Sequence, residues 1–178
     1  MSFCYINGFY KNNIDAQISV EDRGFNFSDG VYEVMGFRKG KLLNFDKHMY
    51  RLNKSLIDLQ IRKPFRNLNS LKIIIYHLLK LNDVNDGFLY LQITRGTAKR
   101  NHLFPSNIKP NVVIFTFSKG NLDKIKKGVN VGITEDQRWM RCDIKSISLL
   151  ANVLDKQKGH ESGFFEVWQL RKNLITEG

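Results

Sequence analysis

One lysine in the last third of the chain has the strongest potential for covalent chemistry. Lys145 follows an aromatic and apolar stretch and precedes a helix-like run that begins at Ile147. A lysine amine has an ordinary pKa of about 10.4, so it becomes a nucleophile at neutral pH only when burial or a nearby cation lowers that pKa. Arg141 and the apolar flanks could provide both conditions. Position alone favours a solvated surface lysine, since the chain contains 28 Lys and Arg residues.

Three segments of the sequence together resemble one enzyme family. They are EDRGFNFSDGVYE at residues 21–33, TRGTAKRNHLFP at residues 94–105 and RWMRCDIKS at residues 138–146. With them the chain resembles the class IV pyridoxal-phosphate aminotransferases, from around Tyr5 to Gly178. The first segment is similar throughout the class, including the branched-chain aminotransferases and the aminodeoxychorismate lyases. The motif Arg100-Asn101-His102 is narrower and resembles the D-amino acid aminotransferases.

The resemblance implies three contacts to the cofactor pyridoxal 5′-phosphate. Lys145 would be both its covalent anchor and the base that moves a proton between the substrate Cα and the cofactor C4′. Arg51 matches the arginine that binds the cofactor phosphate, a role that suits a guanidinium fork. Glu177 matches the carboxylate that keeps the cofactor ring nitrogen protonated. No metal ion is expected.

The resemblance also implies a site for the substrate carboxylate. Tyr32, Arg100 and His102 match the phenol, guanidinium and imidazole that hold the α-carboxylate in the D-amino acid branch. In the family the arginine and the histidine come from the neighbouring subunit, so a homodimer with shared active sites is expected. The substrates would be amino acids and 2-oxo acids.

The sequence departs from the family in two places. Ser28 stands where the family usually has glycine, which tolerates positive φ, so we expect slight strain or altered hydrogen bonds in that turn. Family members also continue beyond the motif Thr176-Glu177-Gly178 with cofactor-phosphate ligands and most of a second domain. The expectation is therefore a truncated chain whose own activity is in doubt and which a separate polypeptide carrying the remaining half could complete.

Three functional interpretations remain open at this point. The leading one is transfer of an amino group between a D-amino acid, such as D-alanine, and a 2-oxo acid. A second is another class IV activity, either branched-chain aminotransferase or aminodeoxychorismate lyase, against which Arg100 and His102 argue. A third is a catalytically inactive remnant, which predicts that Lys145→Ala has no effect on any surviving property.

Composition indicates a globular protein and argues against a nucleic-acid function. The chain has 178 residues, 42% of them hydrophobic, which suffices for a buried core. Its net charge of +11 invites a nucleic-acid function, but the basic residues are dispersed, and the densest run, residues 124–127, is interrupted by an isoleucine. We therefore expect no nucleic-acid partner.

The N-terminus and the cysteines indicate a compartment. The first residues do not show the pattern of a secretory leader and no run of about 20 apolar residues could span a membrane, so neither a leader nor a membrane span is expected. Cys4 and Cys142 lie far apart in sequence, so two free thiols in a reducing compartment are expected. The expected location is the cytoplasm, without membrane association.

Hydrophobic patterning predicts an α+β first domain. Asn7-Gly8 and Lys39-Gly40 are turn signals for two hairpins. Asp46 is predicted to cap a helix whose core stripe is spaced helically, a second helix is predicted over residues 68–81, and strands follow at 88–94 and 112–117. The predicted core stripe of the first helix consists of Met49, Leu52, Leu56 and Leu59.

A polar break at residues 118–121 predicts a domain boundary, which divides the chain into 1–120 and 121–178. The second part is predicted to contain a strand at 128–134, a helix at 147–160 and a strand at 164–170 that turns at 171–173. Together with the resemblance, this pattern implies the two-domain fold type IV architecture of the class IV aminotransferases. The N-terminal α/β domain would be complete, and only the start of the cofactor-binding domain would be present.

Overall fold

A computed structural model describes residues 2–118 and 123–178. These residues separate into two compact units, the first formed by residues 2–118 together with Asp143–Ile147 and the second by residues 123–142 and 148–178. The predicted boundary at residue 120 lies outside the described residues. The prediction assigned Lys145 to the second domain, whereas the short segment Asp143–Ile147 packs in the first unit.

Within residues 2–118 the first unit contains a six-stranded antiparallel sheet in the order β2-β1-β6-β5-β3-β4. The strands are β1 (Phe3–Ile6), β2 (Phe9–Asn12), β3 (Gly30–Arg38), β4 (Lys41–Leu42), β5 (Gly87–Thr94) and β6 (Asn111–Phe117). Both predicted hairpins are present. Their turns have positive φ at Asn7 and Gly8 and at Lys39 and Gly40, which is the conformation that two-residue hairpin turns require.

Three helices accompany this sheet: α1 (Arg23–Phe27), α2 (Phe45–Asp58) and α3 (Leu68–Leu81). The predicted cap at Asp46 is wrong. The chain turns at Asn44 in the left-handed conformation, with φ 52°, so α2 begins at Phe45 and Asp46 lies in its first turn. Its negative charge there still suits the positive end of the helix dipole. Helix α3 has the predicted bounds, and the side chain of Asn67 caps it by accepting from Ser70 N at 2.8 Å.

Helix α1 was not predicted, because five residues are too few to show helical periodicity. The Asp22 carboxylate caps it by accepting from Phe25 N at 3.1 Å. The helix ends at Ser28, which adopts the left-handed conformation at φ 55°. It approaches β5 closely: a Cβ added to Gly24 would overlap Thr94 Cγ2, so only glycine fits there.

The core of the first unit lies between one face of the sheet and the helices α2 and α3. Side chains alternate along a strand, so every second residue of β3 and β5 points into this core. The buried residues include Val31, Met35, Phe37, Leu89, Leu91 and Ile93 from the sheet and Met49, Leu52, Leu56, Leu71, Ile75 and Leu78 from the helices. The predicted stripe on α2 is therefore buried, with Leu59 at its margin.

Within residues 123–142 and 148–178 the second unit contains a three-stranded sheet in the order β7-β8-β9. Its elements are α4 (Asp123–Lys126), β7 (Val131–Glu135), α5 (Leu150–Glu161), β8 (Glu166–Arg171) and β9 (Leu174–Glu177). Strands β7 and β8 are parallel, and β9 returns antiparallel through positive-φ residues Lys172 and Asn173. Helix α5 begins three residues later than predicted, because Ile147 N bonds to Gly30 O at 3.1 Å within the first unit.

None of the helices in the described ranges is both long and apolar enough to cross a membrane. Cys4 is buried, Cys142 is exposed, and both are free thiols, which confirms the expectation from their spacing.

Candidate active site

The backbone around Lys145 is fixed on both sides. Its carbonyl accepts from Tyr32 N and its amide donates to the buried hydroxyl of Ser55, each at 3.1 Å. Ser146 forms a β-bridge with Val31, so the segment extends the sheet beside the start of β3. The bonds to its carbonyl and to its amide, one from a main-chain group and one to a side-chain hydroxyl, fix the position of the Lys145 Cα.

The amine of Lys145 lies against a tyrosine. Its Nζ donates to Tyr32 Oη at 3.1 Å and lies 4.2 Å from the centre of the Tyr32 ring. The lysine is half-buried. Arg141, the cation suggested by the sequence, belongs to the second unit. Within the first unit, the amine contacts the phenol of Tyr32.

Tyr32 belongs to a row of aromatic rings on the sheet face opposite the helices. Its ring stacks on Tyr90 with centroids 5.7 Å apart, and Tyr90 stacks on Phe115 at 4.9 Å. Burial, reinforced by the neighbouring Tyr32, raises the pKa of Tyr90 to about 12. Tyr90 therefore remains a neutral phenol, which donates to Gln92 Oε1 at 2.7 Å and gives Tyr32 a fixed, uncharged neighbour.

Arg51 forms a two-pronged ion pair with a buried carboxylate. Its Nε and Nη2 each donate to Glu33 at 2.7 Å, and His48 Nδ1 lies 2.7 Å from the same carboxylate. Glu33 is 0% exposed, whereas the Arg51 side chain is 48% exposed. The hydrogen bond to Glu33 raises the pKa of Arg51. Glu33 thus binds one edge of the Arg51 guanidinium, and the rest of the side chain is exposed to solvent.

Sequence reasoning did not assign a role to Glu33 or His48. A signal was present, because Glu33 lies between Val31 and Met35 at the alternating positions that face the core. A charged residue at such a position is seldom buried unless it is paired. The alternation along β3 therefore predicts a buried ion pair, although it does not identify the partner.

Arg100 and His102 lie together on an exposed loop after β5. The Arg100 guanidinium carbon is 5.0 Å from the centre of the Phe27 ring, and the His102 ring is 5.3 Å from the same ring. The structure therefore brings these two residues together around Phe27. Tyr32 has different partners, namely Lys145 and Tyr90.

Glu177 lies on β9 in the second unit, where Arg138 binds its carboxylate. Arg138 also bonds both oxygens of Asp136 at 3.0 Å. Those bonds, with another from Thr176 Oγ1, hold the pKa of the buried Asp136 carboxyl well below its usual range. Arg138 belongs to the sequence motif of residues 138–146, and the structure places it as the cation between two carboxylates. Glu177 itself is 45% exposed.

No group of three or more histidine, cysteine, aspartate or glutamate side chains suited to a metal ion occurs in the described part of the chain. Taken unit by unit, the described candidate residues offer an amine beside a phenol and guanidinium groups in the first unit, and a carboxylate in the second. Such a set can form a covalent bond to a carbonyl, bind anions and transfer a proton.

Comparison with known proteins places this geometry in a family. The family model described as amino-transferase class IV matches residues 30–178. The D-alanine aminotransferase of Bacillus licheniformis is 40% identical over 173 residues, which are 97% of this chain and 61% of that protein. The D-alanine aminotransferase of Staphylococcus haemolyticus is 38% identical over 180 residues, covering 100% of this chain and 64% of that protein. The chain thus spans less than two thirds of either relative.

Solved structures show the same fold at lower identity. The T.th. branched-chain amino acid aminotransferase with pyridoxamine 5′-phosphate superposes with a TM-score of 0.85 at 16% identity, over 96% of this chain and 60% of that one. The 4-amino-4-deoxychorismate lyase of Pseudomonas aeruginosa gives a TM-score of 0.74 at 19% identity, over 95% of this chain and 61% of that one. The predicted fold class is confirmed for the part of the fold that this chain spans.

Proposed function

Because the chain belongs to the class IV aminotransferases, we propose that it carries the catalytic lysine and the N-terminal part of the active site of a D-amino acid aminotransferase. The reaction transfers an amino group between a D-amino acid, such as D-alanine, and a 2-oxo acid through pyridoxal 5′-phosphate. The observation that carries the proposal is the placement of Lys145, whose backbone is fixed on both sides and whose Nζ lies 3.1 Å from Tyr32 Oη.

The chemistry of the available side chains fits this cofactor. Lys145 supplies an amine for the aldehyde, Arg51 a half-exposed guanidinium for the phosphate, and Glu177 a carboxylate for the ring nitrogen. The bound pyridoxamine 5′-phosphate of the T.th. branched-chain enzyme supports the choice of cofactor. When bound, pyridoxal phosphate supplies an electron sink for the carbon that loses its proton.

Each of these residues has a definable task. Lys145 removes the proton from the substrate Cα and returns it at C4′, which requires a neutral amine. Tyr32 holds that amine in place through its hydroxyl oxygen. Arg51 is oriented by Glu33, so its guanidinium meets the phosphate with little loss of side-chain entropy. Glu177 keeps a proton on the ring nitrogen and is itself held by Arg138.

Substrate recognition is assigned to Arg100, His102 and Tyr32, acting in a homodimer. Within one copy, Arg100 and His102 contact Phe27, whereas Tyr32 contacts Lys145. The three proposed carboxylate ligands therefore have different partners within a single chain. In a homodimer in which the loop of each subunit reaches the other subunit, Arg100 and His102 of one copy would lie beside Tyr32 of the other. The bidentate guanidinium would then meet the α-carboxylate.

Two other functions compete with this proposal. A branched-chain aminotransferase or an aminodeoxychorismate lyase has the same fold, as the structural neighbours illustrate. The relatives of 38% and 40% identity, both named D-alanine aminotransferases, favour the D-amino acid activity. The second alternative is a chain without activity of its own, which a separate polypeptide could complete. We propose the cytoplasm as the compartment, in agreement with two free thiols.

The test is the visible absorption band of the lysine-bound cofactor. The purified chain is mixed with pyridoxal phosphate, and the spectrum is compared with those of Lys145→Ala and of the exposed-lysine control Lys47→Ala. We expect a band in the wild type and the control but not in Lys145→Ala, and we expect D-alanine, not L-valine, to convert it. Conversion by L-valine would favour the branched-chain activity.

A band that is absent from the chain alone but appears with the unmatched C-terminal part of the Bacillus licheniformis relative would identify a complemented enzyme. Absence under both conditions would exclude the proposed activity for this chain.

A further inference from the structure

The loop that carries Arg100 and His102 is tied to α1 by a buried arginine. Arg23 is 3% exposed, and its Nη1 donates to the carbonyl oxygens of Asn101 at 2.5 Å and Leu103 at 3.3 Å. Its Nη2 lies 3.5 Å from the carbonyl oxygen of His102, at the limit of a hydrogen bond. Three successive carbonyl groups of an exposed loop therefore face one buried cation.

A second anchor for the same loop is the ring of Phe27. Three side chains surround it: the guanidinium carbons of Arg100 and Arg23 lie 5.0 Å and 4.9 Å from its centre, and the His102 ring lies 5.3 Å away. Cations over an aromatic face are attracted by its electron density. The ring thus holds both predicted carboxylate-binding side chains on one hydrophobic support.

The base of this arrangement is a buried cluster of two arginines and one aspartate. Arg23 Nε and Arg95 Nε donate to Asp29 Oδ2 at 2.8 and 2.7 Å, and Arg95 Nη2 donates to Asp29 Oδ1 at 3.0 Å. Arg95 also lies over the ring of Phe104 at 3.5 Å, at the far end of the loop. Two guanidinium groups share one carboxylate, so the cluster keeps a net positive charge beneath the loop.

We propose that Phe27 and Arg23 are positioning residues for recognition of the substrate α-carboxylate. Arg23 fixes the loop backbone, and Phe27 holds Arg100 and His102 so that both present polar groups to one anion. Binding then costs less conformational entropy, because the two side chains are already ordered. The inference rests on the proposed function, since it assigns the anion as the α-carboxylate of an amino acid.

The first measurement is the proton NMR spectrum of the histidine rings. The chain has only 4 histidines, so His102 can be assigned with a His102→Gln variant. Ring currents from Phe27 should displace its signals, and Phe27→Leu should return them toward the values of a solvated imidazole. Phe27→Tyr keeps the ring and should keep the shift. The matched control is Phe25→Leu, on the same helix but 76% exposed, which should leave the His102 signals unchanged.

The second measurement is the steady-state kinetics with D-alanine. Phe27→Leu should raise KM about tenfold and leave kcat within about twofold. The reason is that the native Phe27 ring orders the proposed carboxylate site and does not contact the reacting amine. Phe27→Tyr should restore KM. Arg23→Lys keeps the charge but loses the fork that reaches successive carbonyls, so it should raise KM as well.

If the wild type has no transaminase activity, an acetate titration followed by the His102 signals replaces the kinetics. We then expect acetate to shift these signals and Phe27→Leu to weaken that binding about tenfold, or about 1.4 kcal/mol. A Phe27→Leu variant with unchanged His102 signals would overturn the positioning role. If acetate does not bind to the inactive wild type, carboxylate recognition by this loop is overturned. The missing transaminase activity by itself would contradict only the proposed function.

Discussion

The segment that carries Lys145 and the loop that carries Arg100 and His102 are held by different kinds of bonds. Main-chain groups hold most of the segment around Lys145, through Tyr32 N and a β-bridge from Ser146 to Val31, and the side-chain hydroxyl of Ser55 adds one bond to the Lys145 amide. Side chains fix the loop, through the guanidinium of Arg23 and the ring of Phe27. The position of the Lys145 amine therefore depends mainly on strand pairing, and the position of the loop depends on the identity of a few side chains.

The difference has a consequence for substitutions. Backbone pairing beside β3 does not require the Lys145 side chain, so replacing it should change chemistry and not the fold. Replacing a side chain beneath the loop should change geometry at positions several residues away. Arg51 and Glu177 resemble the loop in this respect, since each is held by an oppositely charged side chain.

The largest expected effect is recovery of activity when two inactive variants are mixed. Lys145→Ala and Arg100→Ala should each lose activity by about a thousandfold or more, because one lacks the proposed base and the other the proposed carboxylate ligand. If the two regions meet across a homodimer, half of the randomly mixed dimers combine one chain of each kind and contain one intact site. We expect about a quarter of wild-type activity after denaturation and joint refolding.

The control for this mixture is a pair of variants at the same region. Lys145→Ala mixed with Tyr32→Phe should recover nothing, because both residues lie in one chain 3.1 Å apart. Activity that stays at the level of the parents in the first mixture would argue against shared sites and for recognition within one chain.

The next largest effect should follow from removing Arg51, the cation paired with Glu33. Arg51→Ala leaves a fully buried carboxylate that keeps its contact to His48 but loses its arginine, and we expect a loss of about 3 kcal/mol in the free energy of unfolding. The double variant Glu33→Gln/Arg51→Ala should be more stable than Arg51→Ala, because the buried charge is gone. Urea unfolding measures the free energy of unfolding of the wild type and of both variants. A double variant that is no more stable than Arg51→Ala would contradict this account.

A smaller effect is expected in the second unit, where Asp136 supports Arg138. Asp136→Asn should cost about 2 kcal/mol at neutral pH, because bonds to the charged carboxylate are lost. The folded-state pKa of Asp136 is depressed, so its stabilisation is complete above the ordinary aspartate pKa and is lost as pH falls toward the depressed value.

The difference in stability between wild type and Asp136→Asn should therefore be constant from about pH 5 to 8 and should shrink below about pH 4. Denaturant unfolding across this range measures it. Glu135→Gln, which changes the exposed carboxylate of the adjacent residue at the end of β7, should show little difference at any pH. A stability difference between wild type and Asp136→Asn that grows as the pH falls would contradict the depressed pKa of Asp136.

The smallest effect concerns the turn that joins α1 to β3. Ser28 adopts φ 55°, so Ser28→Gly removes left-handed strain but adds freedom to the unfolded chain, and we expect a net gain of about 0.5 kcal/mol. Ser28→Ala keeps the strain and should give no gain. Thermal unfolding of both variants separates the effect of conformation from that of the lost hydroxyl.

Local sequence signals predicted most of the elements. The turn pairs Asn7-Gly8 and Lys39-Gly40 identified two hairpins, and helical spacing gave α3 its observed bounds. The errors occur where neighbours in space decide a local boundary. Helix α2 begins before Asp46 because Asn44 turns left-handed, and α5 begins after Ile147 because that residue pairs with Gly30.

The sequence by itself determined the family, the chemical types of the candidate site residues and the alternation that buries one face of β3. Those properties follow from residue identity and short-range spacing. Only the tertiary structure decided that Lys145 packs in the first unit, that Glu33 holds Arg51, and that Phe27 supports the loop. Lys145 and Tyr32 are 113 residues apart along the chain, and such contacts arise from folding of the whole unit, which no local pattern records.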